Sequence, residues 1–204
     1  MKRLPKYFKI AALCCIIGQA LTYYLPMVLN VEGMHVLSSA LDDAIPLVPG
    51  FVFIYVAAFL MWIYLYFRAF LDSRTLAYRL MTADLLCKAV CLSAFLLYPC
   101  TLIQPSLEGM RGFGAWALHI VYTCDRPINL LPSMHCYMSC LCVRPLLSGY
   151  LPGIKKPQRV FFCIFAFLIC LSTLFTKQHV MIDVVTGVAL SEICWQIAVR
   201  IVRK

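Results

Sequence analysis

The chain has 204 residues, of which 63% are hydrophobic and 13% charged, and its mean hydropathy is +0.85. A soluble domain of this size needs a larger polar surface, so the composition excludes a water-soluble globular protein. The net charge of +9 lies in short clusters between apolar runs, without the basic face and aromatic platform that would indicate a nucleic-acid partner. The sequence therefore predicts an integral membrane protein whose surroundings are a lipid bilayer and which binds no nucleic acid.

Apolar runs alternate with polar loops along the chain, and roughly 20 apolar residues cross a bilayer as a helix. The runs cover approximately residues 8–29, 51–67, 80–103, 130–150, 160–175 and 179–200. We therefore predict an all-α fold, a polytopic bundle of six transmembrane helices, with residues 1–204 forming one domain. The first run is long for a signal peptide and has no small-residue cleavage site before Pro26, so we expect it to remain as a span. Within the loop 104–129, the apolar segment 113–122 is expected to lie along the membrane interface.

The positions of lysine and arginine predict how the chain is oriented, because cytoplasmic loops are enriched in these residues. With both termini in the cytoplasm, the outer segments hold only Arg111, Arg126 and Lys177. The inner segments hold the remaining loop cations, which include Lys2, Arg3, Arg68, Arg74, Arg79, Lys155, Lys156, Arg159 and Lys204. This pattern predicts a multi-pass protein of the cell membrane with cytoplasmic termini.

A few polar residues lie inside the predicted spans. Asp84 and Lys88 are four residues apart and are expected to pair on one helical face. Arg144 followed by Pro145 indicates that the fourth span is kinked or ends early. Most of the 12 cysteines lie in apolar runs without zinc-site spacing, and only Cys100 and Cys124 could pair at the outer face.

Two histidines lie at the starts of apolar runs, His135 in the segment 129–135 and His179 in the segment 177–183. Asp183 follows His179 by four residues, which places both on one helical face. A neutral imidazole can attack a phosphate ester, and an acid on its other ring nitrogen fixes the tautomer and stabilises the imidazolium. We therefore predict phosphoryl transfer with His179 as the nucleophile, Asp183 as its orienting acid and His135 as the acid that protonates the leaving oxygen. The predicted topology places all three side chains on the extracytoplasmic face.

The phosphate would be held by cations and by a helix start. Ser133 follows a proline and is expected near the N-cap of a helix, where free N–H groups form an anion site beside His135. Arg126 and Lys177 are expected to complete this phosphate site. Asp183 is the only carboxylate within either histidine segment, so the sequence predicts no metal and no cofactor.

Together these segments resemble the type 2 phosphatidic acid phosphatase superfamily, a group of six-span lipid phosphatases and phosphotransferases. The resemblance rests on Arg126-Pro127, on Pro132-Ser-Met-His135 and on His179-x-x-x-Asp183, and it covers about residues 119–190. The segment from Asp42 to Tyr55 also resembles the outer loop and second span of this group. The resemblance implies a phosphohistidine on His179, general acid catalysis by His135 and phosphate binding by Arg126 and Ser133.

The chain differs from the family pattern at three positions. His119 stands where the pattern has a lysine, Thr173 where it has an arginine, and Met134 where it has a glycine. We expect His119 and Lys177 to provide phosphate contacts in place of the missing cations. The Pro-Ser-Met-His form, and the Gly187 that follows the second motif, resemble the branch with inositol phosphorylceramide and sphingomyelin synthases.

These inferences predict a metal-independent membrane lipid phosphatase, a hydrolase for a phospholipid or polyprenyl phosphate substrate of the phosphatidic acid or polyprenyl pyrophosphate type. An alternative is a lipid phosphotransferase of the sphingomyelin or inositol phosphorylceramide synthase type, in which a lipid alcohol replaces water. A third hypothesis is a non-enzymatic transporter with a histidine proton relay, which requires ionisable residues along a path through both faces. Here they cluster at one face, with Arg144 and Glu192 as the main exceptions, and the sequence does not specify the oligomeric state.

Overall fold

The structure, a computed structural model, describes residues 4–29 and 33–203. The helices are α1 (Lys6–Val28), α2 (Ala40–Ala44), α3 (Val52–Asp72), α4 (Arg74–Leu97), α5 (Phe113–Cys124), α6 (Met134–Leu147), α7 (Lys156–Phe175) and α8 (Met181–Ile201). A 3-10 turn, Pro49–Phe51, precedes α3, and the two-residue strands β1 (His35–Val36) and β2 (Cys100–Thr101) pair in parallel. The predicted all-α class is confirmed. Lys2, Arg3 and Lys204, on which the predicted orientation partly depends, lie outside the described residues.

Within residues 4–29 and 33–203, five helical segments are long and apolar enough to cross a membrane: α1, α3 with its preceding turn, α4, α7 and α8. The fourth predicted span, 130–150, corresponds to α6, which has only 14 residues and is not one of the five. It is short because the chain before Met134 is non-helical and because the helix, which includes Pro145, ends at Leu147. The predicted count of six spans is therefore not confirmed, and the helix ends three residues before the predicted end of the span at residue 150.

The long helices pack as a bundle around α6. Helix α1 packs mainly against α4, and α6 packs against both α7 and α8. Fully buried alanines on α3 and α4 permit close contact between these helices, while the core around α6 contains the larger side chains Tyr137, Leu141 and Trp195.

Two ion pairs lie within the bundle. Asp84 and Lys88 are 2.6 Å apart and almost fully buried, as predicted from their spacing. Their remaining partners are the Tyr66 hydroxyl, which donates to Asp84 at 3.0 Å, and the Cys15 carbonyl, which accepts from Lys88 at 2.8 Å. The second pair, Arg144 with Glu192 at 3.0 Å, connects α6 and α8. Arg144 and Glu192 were the main exceptions to the clustering of ionisable residues at one face. The structure shows that these two residues form an ion pair with each other.

The starts of α3, α6 and α8 and the ends of α1, α4 and α7 lie at one end of the bundle, which we call the motif end. Backbone hydrogen bonds join segments there, from Val48 N–H to Phe175 O at 2.8 Å and from Ser133 N–H to Asp183 O at 3.0 Å. The apolar loop segment 113–122 forms α5, which packs on the 3-10 turn and α3. Cys100 and Cys124 are both free thiols, so they do not pair.

Candidate active site

His179 lies in the sharp connection between α7 and α8. The backbone N–H groups of Gln178 and His179 both donate to Thr173 O, at 3.0 and 3.1 Å, and the chain turns through Lys177 with a φ of 53°. Asp183 then closes the turn, because its Oδ2 accepts from the backbone N–H of Val180 at 3.1 Å and contacts His179 Nδ1 at 3.1 Å. One carboxylate oxygen therefore both caps the start of α8 and orients the histidine.

The contact with Asp183 determines which nitrogen of His179 is free to react. A carboxylate acceptor at Nδ1 requires the proton there, which leaves the lone pair on Nε2, and Nε2 has no hydrogen-bond partner among the described residues. Burial lowers the pKa of His179, but the hydrogen bond and the negative charge of Asp183 raise it by more, so its pKa lies above 6.5. Asp183 is thus placed to stabilise the positive charge that develops on the ring during nucleophilic attack.

The start of α6 is held against α8 by main-chain contacts. Ser133 Oγ accepts from the backbone N–H of Cys136 at 3.3 Å, so Ser133 is the N-cap, as predicted. Its own N–H donates to Asp183 O, and Gly187 lies so close that a Cβ there would be 2.6 Å from Ser133 O. Ser133 is fully buried, and its contact with phosphate stays a prediction.

This packing brings His135 opposite His179, with ring centroids 6.3 Å apart. His135 stacks on the Tyr55 ring at 4.0 Å, and its Nε2 is buried without a partner among the residues described. The pKa of His135 is lowered to about 3, because the lowering by burial outweighs the raising by the charge of Asp125. The ring is therefore neutral in the protein alone. A bound phosphate anion supplies the negative charge that would favour its protonation.

Both histidines line a cavity of about 600 Å³. Its walls come from α1, α3, α5 and α6 and are mostly apolar, with Ile16, Val56, Phe59, Ile120 and Met138 among the lining residues. Near the histidines the lining becomes polar, with Asp125, Arg126, Asn129 and Gln178. Two buried atoms there, Gln178 Nε2 and Asn129 Oδ1, have no partner within the described part of the chain. An apolar chamber with convergent polar groups at one end has the form expected for a lipid site.

Of the predicted phosphate-binding cations, only Arg126 lines this cavity. Lys177 donates from Nζ to the Asp42 carbonyl at 2.7 Å and lines a second cavity of about 430 Å³ on another side of His179. His119 lies on the exposed face of α5 and outside the lining of both cavities. Thr173, at the position of the family arginine, is fully buried and donates its hydroxyl to Cys170 O at 2.8 Å. Lys177 therefore meets His179 only at the second cavity, and His119 meets neither histidine at either cavity.

Sequence reasoning missed the roles of two aspartates. Asp42 Oδ1 accepts from the backbone N–H of Met181 at 2.7 Å, which satisfies a free donor at the start of α8. No local pattern predicts this contact, because the two residues are 139 positions apart. Asp125 receives hydrogen bonds from Tyr23 at 2.9 Å and Tyr55 at 2.6 Å. In the sequence, only the position of Asp125 directly before Arg126 indicated that it belongs to the site.

Comparison with known proteins agrees with this geometry. The family model described as PAP2 superfamily matches residues 115–204, a range that contains most of α5, all of α6–α8 and every predicted site residue. No curated protein and no solved structure matches the chain. The predicted resemblance to the type 2 phosphatidic acid phosphatases is confirmed by this match over residues 115–204.

Proposed function

We propose that the protein is a membrane lipid phosphatase that hydrolyses the phosphomonoester or pyrophosphate of a lipid through a phosphohistidine on His179. The proposal rests on one arrangement: His179, oriented by Asp183 at 3.1 Å, faces His135 across a cavity that both residues line. The match of residues 115–204 to the PAP2 superfamily, whose members are generally phosphatases, supports the same reaction class.

In the first half-reaction, His179 Nε2 attacks phosphorus, so an N–P bond forms as the P–O bond to the lipid breaks. His135, protonated once the phosphate anion is bound, donates that proton to the departing lipid oxygen and becomes neutral. In the second half-reaction, His135 removes a proton from water, whose oxygen attacks phosphorus and releases inorganic phosphate from His179. The ring separation of 6.3 Å leaves space for a phosphoryl group between the two imidazoles. Arg126, on the cavity wall, would offset charge on the phosphate oxygens.

The shape of the cavity supports a lipid as the substrate. Its apolar part extends down α1 and α3 to Ile16 and Phe59, and several lining residues on α1 are also exposed on the outside of the bundle. A hydrocarbon tail could therefore lie between helices while its phosphate reaches the histidines. A position on the extracytoplasmic face of the cell membrane also remains our proposal, supported by the cations Arg68, Arg74, Lys155 and Lys156 at the opposite end of the bundle.

One observation favours transfer to a lipid alcohol as a second candidate function. Arg126 is the only lysine or arginine that lines the cavity among the residues described, and the carboxylate of Asp125 lies beside it. A phosphomonoester dianion requires more compensating charge than a phosphodiester, which carries one negative charge. A phosphodiester donor suits this charge balance better, and it would leave a phosphorylated headgroup on His179 for transfer to an acceptor such as diacylglycerol or ceramide.

The transporter hypothesis is disfavoured by the ion pairs. Asp84 with Lys88, and Arg144 with Glu192, are satisfied by each other and by neighbouring groups. Neither pair lines either of the two cavities that adjoin His179.

The test is product formation by protein purified in detergent over a panel of lipid phosphomonoesters, pyrophosphates and phosphodiesters, with and without an added lipid alcohol. Phosphate release that is lost in His179→Ala but retained in His35→Ala supports hydrolysis. His35 is a suitable control because it stacks on Tyr98 and lines neither cavity. A labelled lipid product that forms only with the acceptor present indicates transfer. Equal turnover by wild type and His179→Ala refutes both.

A further inference from the structure

Asp125 connects three segments at the motif end of the bundle. It follows α5 directly, and its two carboxylate oxygens accept hydrogen bonds from tyrosines on different helices. Tyr23 on α1 donates to Oδ1 at 2.9 Å, and Tyr55 on α3 donates to Oδ2 at 2.6 Å. Both oxygens are therefore occupied by protein donors, which makes Asp125 a fixed anchor for the two rings.

The two tyrosines differ in their relation to His135. The Tyr55 ring lies almost parallel to the His135 ring, with centroids 4.0 Å apart and planes 22° apart. Phe59 and Trp62, further along α3, cover other sides of the same imidazole at 5.8 and 5.1 Å. Tyr23 has no ring contact with His135, although it shares the carboxylate with Tyr55.

The two histidines of the site are thus supported differently. His179 has a carboxylate of its own on Nδ1, whereas His135 contacts an aromatic ring, and the nearest described carboxylate lies beyond that ring. An imidazolium over the face of a tyrosine is stabilised by the ring quadrupole. Donation of the tyrosine hydroxyl to a carboxylate increases the electron density of the ring and strengthens this attraction.

We propose that Asp125, acting through Tyr55, is a positioning residue that orients His135 and favours its protonated form once phosphate is bound, so that His135 can give its proton to the leaving oxygen. This inference rests on the proposed function, because it assigns the partner of the general acid in that reaction. The proton passes from His135 Nε2, which has no partner in the described structure, to the lipid oxygen as the P–O bond breaks. Asp125 and Tyr55 keep their own protonation states throughout.

Other groups around the cavity contribute to the same electrostatic balance. The titratable and charged groups that face it are Tyr23 and Tyr24 on α1, Tyr55 on α3, Cys124, Asp125 and Arg126 after α5, and His179 before α8. Of these, Asp125 is the only carboxylate, and its charge raises the pKa of His135. Loss of this charge therefore removes a contribution that favours the acid form.

The test compares two substrates in each preparation. A lipid alkyl phosphate has a poor leaving group and needs a general acid, whereas a nitrophenyl phosphate ester has a good leaving group and does not. In Tyr55→Phe and Asp125→Asn we expect kcat for the alkyl ester to fall about tenfold relative to kcat for the nitrophenyl ester. We also expect the alkaline limb of the alkyl-ester pH profile to move to lower pH. Because the ratio of the two rates is taken within one preparation, it does not depend on how much of the variant folds.

Tyr23→Phe is the matched control, since it removes one tyrosine hydroxyl from the same carboxylate without altering the ring on His135. We expect it to keep the wild-type ratio whatever it does to the individual rates. Asp125→Glu is expected to recover part of the ratio lost in Asp125→Asn. A wild-type ratio in Tyr55→Phe, or an equal fall in Tyr23→Phe, overturns the inference. A wild-type protein that cleaves neither ester and forms no phosphohistidine refutes the proposed function itself.

Discussion

Gly187→Ala tests whether the close approach of α8 to α6 sets the geometry of the two histidines. A Cβ at this position would lie 2.6 Å from Ser133 O and 3.1 Å from Cys136 Cβ, where ordinary contact begins at 3.4 Å. The oxygen belongs to the backbone at the start of α6, so relief requires the helices to separate by about 0.8 Å. That movement would lengthen the hydrogen bond from Ser133 N–H to Asp183 O, now 3.0 Å, beyond hydrogen-bonding distance.

The consequence for activity is larger than the consequence for stability. Overpacking of this kind costs about 1–3 kcal/mol of folding free energy. A misplacement near 1 Å between reacting groups lowers the rate on the order of 100-fold. We therefore expect Gly187→Ala to remain folded at 25 °C while the formation of labelled phosphohistidine, followed by rapid quench, falls by about that factor.

Gly50→Ala is the matched control, because a Cβ at Gly50 would have no neighbour within 4 Å. It adds the same methyl group near the same end of the bundle without contact. Thermal unfolding in detergent, measured on both variants, separates loss of fold from loss of geometry. Phosphohistidine formation at the wild-type rate in Gly187→Ala would refute the view that this contact positions His135 against His179.

The charges around His179 lead to three further expected outcomes. Asp183→Asn should lower the rate of phosphohistidine formation by a factor on the order of 1,000, since the tautomer and the imidazolium lose their support; a loss below tenfold contradicts this role. In wild type, that rate should fall as pH drops through a His179 pKa above 6.5, because the imidazolium has no lone pair. In Asp183→Asn the main contribution that raises this pKa is lost while burial still lowers it, so the acid limb should move to lower pH; an unmoved limb in a pH series counts against the assignment. Arg126→Met should raise KM for the lipid about tenfold, whereas Lys177→Met, which loses the contact with the Asp42 carbonyl, should mainly lower the unfolding temperature. A larger KM effect for Lys177 contradicts the observed placement.

The parts of the site that could be predicted from sequence are those encoded by local spacing. The separation of His179 and Asp183 by four residues places them on one helical turn, and the structure shows their contact at 3.1 Å. The Pro-Ser segment before His135 predicted a helix start, and Ser133 is the N-cap. The ion pair of Asp84 and Lys88 follows from the same helical periodicity. In each case the partners are close in sequence, so tertiary structure has little freedom to separate them.

The parts that could not be predicted depend on the direction of a side chain after the chain has packed. Lys177 lies two residues before His179, yet its left-handed backbone turns the ammonium towards Asp42 and away from the larger cavity. His119 is in the expected loop helix but on its exposed face. Asp125 acquires its role only because α1 and α3 present tyrosines to it, across sequence separations of 102 and 70 residues. Single-sequence patterns carry no information about such contacts.

The main-chain hydrogen bond from Ser133 to Asp183 also limits how the protein can open. Because this bond and the close contact at Gly187 hold the start of α6 against α8, the two helices cannot part here without disturbing the catalytic pair. The remaining walls, α1 and α5, have no such connection to the histidines and contribute exposed lining residues such as Ile16, Tyr24 and Ile120. Displacement of α1 by a lipid that enters from the side would break side-chain hydrogen bonds such as that from Tyr23 to Asp125, while the main-chain contact between α6 and α8 stays in place.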